Sequence, residues 1–314
     1  MKSDNNQSKK KPSWLKVKAP LGKDYLKIKQ TLAKNNLFTV CEEAACPNIG
    51  ECWNGGTATF MLLGGVCTRG CKFCNVVTGN PNGWVDNDEP EKIAKAISEM
   101  DLNYIVLTSV DRDDLADHGS SHFAKTVDLC KKYSPNLLVE TLTPDWQGID
   151  ENIKIMVDSK VDVLAHNIET VESLQLKVRD KRASYSQSMD VLRKYKDFSK
   201  AKKIFRLTKS SIMLGLGEKD HEIKQCMLDL RAADVDILTL GQYLRPSDRH
   251  LPVIEYVTPE KFSYWAKIGE QELGFKYVAS GPLVRSSYRA GEYFVEKILR
   301  NKKSEGEVMT PKGV

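Results

Sequence analysis

The sequence of 314 residues has no run of about eighteen apolar residues, which excludes an ordinary membrane-spanning helix. Its first residues lack the apolar core of a secretory signal. With Asp4 and no Arg, they also make a poor mitochondrial transit peptide. These absences lead us to expect a cytoplasmic protein, in which thiols stay reduced and disulfides are rare.

Net positive charge is confined to one end of the chain. The net charge is +5, but residues 1–35 carry ten Lys, no Arg and two Asp, so the remainder carries −3. Such a distribution does not favour a nucleic-acid-binding protein, and we expect neither nucleic acid nor a membrane as a partner. The sequence also has no Ser–His–Asp order, HExxH or Walker motif, which excludes the usual signatures of several enzyme classes.

Cysteine, in contrast, is abundant, and six of the eight cysteines fall within 34 residues. They form two groups of three, with the spacings C-x4-C-x5-C and C-x3-C-x2-C. The isolated Cys130 and Cys226 lie on apolar faces of predicted helices and are interpreted as core thiols. The first group is Cys41, Cys46 and Cys52, and the second is Cys67, Cys71 and Cys74.

Each group has the chemistry of an iron–sulfur site. Three thiolates from one short segment can hold three irons of a [4Fe–4S] cluster and leave the fourth iron open to another ligand. Zinc also binds thiolates, but its sites usually take four ligands, often from two C-x2-C pairs. Neither group supplies two such pairs, so the spacing favours iron–sulfur clusters over zinc.

From residue 57 onward, apolar segments alternate with amphipathic ones. Near-continuous apolar strands separated by helices are typical of a parallel sheet covered by helices. Six βα units are two short of a complete eightfold barrel, so we predict an α/β fold, a partial (β/α)6 TIM-like barrel with N-terminal and C-terminal extensions. The strands are predicted at 57–65, 103–110, 136–144, 161–170, 203–217 and 235–244, with a seventh extended piece at 275–282.

The same pattern predicts how the chain is divided. The barrel is expected to span 57–274. Ahead of it we expect a disordered basic tail (1–13) and an extension (14–56) that carries the first cysteine group. A C-terminal extension (275–314) is expected to contain an RSSY motif and a flexible tail.

The second cysteine group directly follows the first predicted strand. In barrels of this type the active site lies at the carboxyl ends of the strands. Gly70, within the loop, allows the backbone to wrap closely around an inorganic core. The position is therefore that of a catalytic cofactor.

A C-x3-C-x2-C loop after the first strand of a partial barrel, with Phe73 just before its last cysteine, resembles the radical S-adenosylmethionine (SAM) superfamily. The further motifs, in this order, resemble the lipoyl synthase family over residues 14–293. They are VCEEAACPNIGECW (40–53), TSVDRDDL (108–115), HNIET (166–170), MLGLGE (213–218), TLGQYLRPS (239–247) and GPLVRSSYRAGE (281–292).

The resemblance implies a sulfurtransferase with two [4Fe–4S] clusters and SAM. Two SAM molecules are cleaved, and the resulting radicals abstract hydrogen from C6 and C8 of an octanoyl chain. That chain is linked to a lysine of a lipoyl carrier protein, such as an H protein or an E2 lipoyl domain. An auxiliary cluster supplies both sulfurs, and a ferredoxin- or flavodoxin-type donor supplies electrons.

The resemblance also implies roles for the cysteines. Cys67, Cys71 and Cys74 would ligate the cluster that binds SAM, and Cys41, Cys46 and Cys52 the auxiliary cluster. A serine of the RSSY motif would be the fourth auxiliary ligand, with Ser287 favoured over Ser286. Arg285 and Tyr288 would buttress that cluster.

The remaining candidates are SAM contacts at the ends of predicted strands. A polar segment that ends an apolar strand is costly unless its groups find partners, and SAM could supply them. The alternatives are a solvated acidic loop for 111–114 and an internal hydrogen-bond network for 166–170, where His166 is interpreted as structural. The candidates are Phe73, Ser109, Asp111, Arg112, Asn167, Glu169, Arg179, Gly215, Gln242 and Tyr243.

Two other functions remain open at this point. One is a different sulfur-inserting radical SAM enzyme, of the biotin-synthase or methylthiotransferase kind, in which the auxiliary ligands lie elsewhere. The other is a non-catalytic zinc or iron–sulfur module, which would not cleave SAM.

Overall fold

The structure is a computed structural model that describes most of the chain. The predicted tail at 1–13 lies largely outside the described residues, and Tyr288 lies outside them as well. The described part comprises residues 11–17, 20–35, 39–43, 46–55, 57–100, 102–287, 295, 297 and 298.

A parallel sheet of seven strands forms the centre of the molecule, in the order β1-β4-β5-β6-β7-β8-β9. A short parallel pair, β2 and β3, lies apart from it. The strands are β1 (Thr57–Leu62), β2 (Val66–Cys67), β3 (Val77–Thr78), β4 (Tyr104–Ser109), β5 (Leu138–Leu142), β6 (Val163–Ala165), β7 (Leu207–Leu214), β8 (Ile237–Gln242) and β9 (Tyr277–Gly281).

Helices connect the consecutive strands of the sheet. Three further helices precede β1, and a one-turn helix lies between β6 and the long helix that follows it. The helices are α1 (Lys23–Asn35), α2 (Val40–Glu43), α3 (Ile49–Asn54), α4 (Glu89–Met100), α5 (Ser120–Tyr133), α6 (Asp150–Asp158), α7 (Gln175–Val178), α8 (Tyr185–Ala201), α9 (Asp220–Ala232) and α10 (Pro259–Lys267).

This architecture confirms the predicted α/β partial barrel. Six strand–helix units are followed by a seventh strand, and within the described residues β1 and β9 do not pair with each other, so the barrel is unclosed. The seventh strand, Tyr277–Gly281, belongs to the sheet, although the sequence division assigned it to the C-terminal extension.

The two faces of the sheet are buried by different partners. Ile105 and Leu107 face outward and pack with Ile93 and Phe123 of the covering helices. The alternate residues of the strands, together with Val295, form a separate cluster, which is the inner face of the barrel. Because paired residues of parallel strands point to the same side, the register identifies the inward-facing side chains along every strand.

β6 is shorter than the sequence predicts. It ends at Ala165, and the chain turns away from regular pairing over the HNIET segment. Glu169 adopts a left-handed conformation (φ 67°) and makes only an isolated bridge to Ile212 of β7. The polar residues at the end of this strand are therefore released from the ladder and presented at the rim of the barrel.

The N-terminal helices cover β1. The Asn54 side chain accepts a hydrogen bond from the Tyr25 backbone N–H (3.2 Å) and donates to the Leu21 carbonyl (2.6 Å), which joins α1 to α3. Tyr25 also stacks on Trp53 with ring centroids 5.1 Å apart. Among the residues described, no helix combines the length and the apolar character needed to cross a membrane.

Candidate functional site

The C-x3-C-x2-C segment forms a loop at the carboxyl end of the barrel, here called the cluster loop (67–74). Three strand ends hold its backbone. Thr68 N–H donates to the Asp111 carbonyl (3.0 Å) and Lys72 N–H to the Val178 carbonyl (2.9 Å). His250 Nε2 lies 3.0 Å from the Cys74 carbonyl. Loops after β4, β6 and β8 therefore set the shape of the cluster loop.

The three sulfurs of the cluster loop are half-buried, and two of them accept backbone hydrogen bonds. The N–H groups of Arg69 and Asp111 each lie 3.4 Å from Cys67 Sγ, and the Asp180 N–H lies 3.3 Å from Cys71 Sγ. Burial raises the pKa of both thiols to about 12. The thiols are therefore neutral by themselves, and the donated N–H bonds favour the thiolate form that iron requires.

A buried arginine lies between the first two cysteines. Arg69 Nε and Nη2 donate to the two oxygens of Asp113 at 3.0 and 2.8 Å. Its Nη1 and Nη2 donate to Asp145 at 2.6 and 2.8 Å, and Asp111 lies 3.4 Å from Nη1. We call these four residues the Arg69 network. It was not predicted from the sequence, although an arginine between two predicted iron ligands was a signal.

The strongest SAM candidates lie beside the cluster loop. The Ser109 hydroxyl, at the end of β4, is buried without a hydrogen-bond partner among the described residues, but the register turns Ser109 to the outward side of the strand, with Ile105 and Leu107. The Asn167 amide donates to Glu169 at 3.1 Å, and burial raises the pKa of that carboxyl. Burial also raises the pKa of Asp111 to about 6, although Arg69 opposes the shift. The buried carboxyls of Asp111 and Glu169 fit a ligand with ammonium and hydroxyl groups.

Two arginine candidates are already engaged by protein groups. Arg112 makes a bidentate pair with Asp114 (2.8 and 2.9 Å) and donates to two backbone carbonyls. Arg179 donates to Gln175 (3.2 Å) and to Ser188 (2.8 Å). In this arrangement each guanidinium holds the loop that carries it.

The candidates at the far side of the rim form one packed group. Phe73 packs with Tyr243, whose hydroxyl donates to the Leu251 carbonyl at 2.8 Å. The Gln242 amide is used entirely on backbone groups, including the carbonyl of Glu255 (2.9 Å). Gly215 (φ +100°) has no space for a side chain, since a Cβ would lie 2.2 Å from Gln242 Nε2. These residues shape the pocket wall.

The first cysteine group lies in a different place, on the inner side of β1. One cavity is lined by all three cysteines and by Ser287, and Ser286 is not among its lining residues. Thr57 and Thr59 of β1 also line the cavity, and they pair with the inward-facing Tyr104 and Val106. The cavity therefore opens toward the barrel interior.

The C-terminal segment reaches this cavity by crossing from β9 toward β1. Val284 N–H donates to the Gly281 carbonyl (3.1 Å), and the Asn48 side chain donates to the Leu283 carbonyl (2.6 Å). A Cβ on Gly241 of β8 would lie 2.1 Å from the Val284 carbonyl oxygen, so only glycine permits this close approach. Ser287 follows directly after this crossing.

The chemistry of both sites fits iron–sulfur clusters better than a single metal ion. Each site offers three thiols from one short segment, which suits a [4Fe–4S] cluster, whereas zinc sites usually take four ligands, often from two C-x2-C pairs. In the first cavity, burial lowers the pKa of the Arg285 guanidinium, while the charge of Cys46 opposes the shift. A cation beside three thiols suits an anionic cluster.

The buried position of His166 gives a pH-dependence prediction. Its two ring nitrogens lie 2.9 Å from the Thr143 carbonyl and from the Ser188 hydroxyl. Burial and the Arg179 charge lower its pKa to about 4. Below about pH 6.5 the imidazole is protonated in the unfolded chain but stays neutral in the folded chain. The free energy of unfolding therefore falls by about 3 kcal/mol as the pH is lowered from 6.5 to 4.

Chemical denaturation across that pH range measures this effect as a difference between the unaltered chain and His166→Asn. We expect the free energy of unfolding of the variant to fall less steeply between pH 6.5 and 4, since the Asn amide does not titrate. Equal slopes would contradict the assignment of a buried neutral imidazole.

Comparison with known families assigns two parts of the chain. A model of the radical SAM superfamily matches residues 61–230. A model of the N-terminal domain of lipoyl synthases of that family matches residues 1–46. The two matches correspond to the barrel and to the segment that begins the N-terminal extension.

Curated relatives match nearly the whole chain. A chloroplastic lipoyl synthase of Ostreococcus lucimarinus is 57% identical over 93% of this chain and 89% of its own length. A mitochondrial lipoyl synthase of Aedes aegypti is 56% identical over 94% of this chain and 75% of its own length. An apicoplast lipoyl synthase of Plasmodium yoelii yoelii is 55% identical over 97% of this chain and 60% of its own length.

These relatives, which are named as chloroplastic, mitochondrial and apicoplast proteins, overturn the expectation of a cytoplasmic protein, which is wrong. The physical reason is that reduced thiols constrain only the redox state around a protein. Chain-end composition is likewise an indirect sign of compartment.

Solved structures agree with the fold. Methylornithine synthase aligns with a TM-score of 0.52 at 12% identity, over 91% of this chain and 90% of its own. Streptococcus suis SuiB with its precursor peptide aligns with a TM-score of 0.54 at 10% identity, over 82% of this chain and 52% of its own. At such identities the likeness concerns the fold alone. From the relatives that match most of its length, the chain belongs to the lipoyl synthase family of the radical SAM superfamily.

Proposed function

We propose that this chain inserts two sulfur atoms, at C6 and C8, into an octanoyl group carried on a lysine of a lipoyl carrier protein, and that its two cysteine groups divide the work. The single observation that carries the division is the joint lining of one cavity by the first cysteine group and Ser287. The second group lies in a separate loop with its own contacts. Enzymes of this family use SAM and iron–sulfur clusters.

In this proposal Cys67, Cys71 and Cys74 hold the cluster that binds SAM. Cys41, Cys46, Cys52 and Ser287 hold the auxiliary cluster. When bound, the first of these clusters would supply an electron, SAM a hydrogen-abstracting radical, and the auxiliary cluster sulfur. A serine oxygen is a harder ligand than a thiolate, so Ser287 is suited to release its iron readily.

The protein's own residues position the reactants. The carboxyl groups of Asp111 and Glu169 would receive the polar groups of SAM beside the cluster loop. Arg112 and Arg179 would act by holding the loops after β4 and β6, through the hydrogen bonds described above. Gln242 fixes the backbone around Gly215, which would lie against SAM.

The barrel interior would receive the acyl chain. Near the amino ends of the strands its inner face carries Val163, Leu207 and Ile237, which meet Val295, and beside them one buried ion pair, Lys209 with Glu140 at 2.7 Å. Such a lining excludes water and protects a carbon radical from side reactions. The substrate would lie between the cluster loop at the rim and the first cysteine group beside β1.

Two further parts belong to the proposal. The barrel at 57–274 would carry out radical formation, while the extensions at 14–56 and 275–314 would hold the auxiliary cluster. The carrier would be an H protein or an E2 lipoyl domain, and a ferredoxin- or flavodoxin-type protein would supply electrons.

Anaerobic reconstitution tests the function. With SAM, dithionite and an octanoyl-lysine peptide, we expect about eight irons per chain, 5′-deoxyadenosine and a doubly thiolated peptide. Two cleaved SAM molecules per product are expected because two C–H bonds are broken. SAM left intact, or iron sufficient for one cluster at most, would refute the proposal.

A further inference from the structure

The Arg69 network stands apart from the cluster ligands and is not explained by them. Arg69 is almost fully buried, with a side chain 3% exposed, and it lies in the loop between Cys67 and Cys71. Both edges of its guanidinium are occupied by carboxylates, in two bidentate pairs. A lysine could not reproduce this geometry, since an ammonium group is a point charge without a fork.

The two carboxylates come from separate loops. Asp113 follows β4, and it also accepts hydrogen bonds from Thr68 Oγ1 (2.8 Å) and Gln147 Nε2 (2.9 Å). Asp145 follows β5 and accepts the Gln147 backbone N–H at 3.0 Å. Arg69 therefore ties the cluster loop to two neighbouring strand ends at once.

The electrostatic consequence is large because the site holds more acids than bases. Asp111, Asp113 and Asp145 all lie within ion-pair distance of Arg69, and Asp180 donates its N–H to Cys71 Sγ. Three thiolates and their cluster would add further negative charge. Arg182 also pairs with Asp113, at 3.2 Å, but its side chain is 41% exposed. Without Arg69 the buried carboxylates would lose their buried cation and repel the thiolates where charge interactions are weakly screened.

The pKa shifts agree with this arrangement. Although burial opposes it, the Arg69 guanidinium holds the pKa of both Asp113 and Asp145 below the usual range. The carboxylates therefore remain ionised and paired with Arg69 over the working pH range.

We propose that Arg69 is a positioning residue for the SAM-binding cluster: its paired guanidinium sets the cluster loop and neutralises the carboxylates beside Cys67, so that the loop can take up and retain iron. This inference rests on the proposed assignment of Cys67, Cys71 and Cys74 to that cluster. Arg69 is not itself a ligand, but it would control how the SAM-binding cluster is loaded and would leave the auxiliary cluster unaffected.

Iron content tests this inference in the full-length chain. Arg69→Met, reconstituted anaerobically, is expected to lose about half of its iron and sulfide, together with the electron paramagnetic resonance signal that shifts on SAM addition. The auxiliary cluster should remain. Arg69→Lys keeps the charge but not the fork, and it should lose iron from this cluster to a chelator roughly 10- to 100-fold faster than the unaltered chain.

A matched control separates this effect from general loss of stability. Lys196 is also buried in an ion pair, with Asp236 at the amino end of the sheet, far along the strands from the cluster loop. Lys196→Met should unfold at a lower temperature yet keep all of its iron.

Four outcomes are decisive. Full iron and an unchanged SAM-sensitive signal in Arg69→Met would overturn the inference, as would equal iron loss in Lys196→Met. If Arg69→Met does not fold, Arg69→Lys decides, and unaltered iron retention there would overturn the inference. An unaltered chain that binds no iron at all would refute the proposed function instead.

Discussion

Replacement of Cys41 by alanine is expected to leave SAM cleavage intact and to abolish the thiolated product. Cys41 lines the cavity that contains Cys46, Cys52 and Ser287, whereas the cluster loop is held by the loops after β4, β6 and β8. Loss of one auxiliary ligand should therefore remove sulfur donation without altering the site where SAM is cleaved. The variant should retain about half of the iron.

The measurement is a comparison of 5′-deoxyadenosine with thiolated octanoyl peptide in one anaerobic reaction. Cys67→Ala provides the opposite case and should abolish both products. Cys130→Ala is a matched control, because Cys130 is a fully buried thiol of α5 remote from both groups, and it should keep both products. If Cys41→Ala lost SAM cleavage while its second-group cluster was fully formed, the division of labour would be wrong.

Gly241→Ala is expected to reduce sulfur insertion roughly tenfold or more while SAM cleavage continues. The added Cβ would lie 2.1 Å from the Val284 carbonyl oxygen and 3.0 Å from its carbon. Because these are backbone atoms, the whole crossing segment must move, and Ser287 would move with it. Overpacking of this kind should also cost about 1–3 kcal/mol of stability.

Product yield, SAM cleavage and thermal unfolding measured together test this second prediction. Gly65→Ala is the control, since a Cβ there has nothing within 4 Å, and it should behave like the unaltered chain. Ser287→Ala should share the insertion defect, and Ser286→Ala should not. Normal insertion in Gly241→Ala would show that the crossing segment does not need its present path.

Most of the fold could be predicted because its strands are buried on both faces. Continuous apolar segments such as TATFML and YIVLTS are typical of parallel strands under helices, and each of the predicted strands is present. The lengths were less predictable. The segment at 161–170 was expected to be a strand, but only Val163–Ala165 pairs, because the polar residues that follow leave the ladder.

The candidate site was predictable to the extent that it depends on spacing. The second cysteine group lies in a loop after β1, as expected, and Asp111 follows β4 beside it, whereas Ser109 ends that strand on its outward side. The roles of Arg112 and Gln242 as direct SAM contacts stay predictions. In the structure their side chains bind Asp114 and backbone carbonyls, a geometry that no periodicity indicates.

The contacts that the sequence did not predict join residues far apart in the chain. Arg69 meets Asp145 across 76 positions, and Asn48 meets the Leu283 carbonyl across 235. A charged residue inside a metal-binding loop suggests a partner, but its identity is set by which strand ends adjoin in the sheet.

The sequence by itself determined the chemistry of this protein. Two cysteine triplets at fixed spacings limit the cofactors, because ligand type and loop length are local properties. Tertiary structure alone decided how those ligands are completed and supported. Ser287, the proposed fourth ligand some 230 residues away, lies at its cavity after a crossing that passes closely over Gly241, and the Arg69 carboxylates meet because β4 and β5 are neighbours in the sheet. Both depend on contacts between distant segments, and these form only when the barrel has folded.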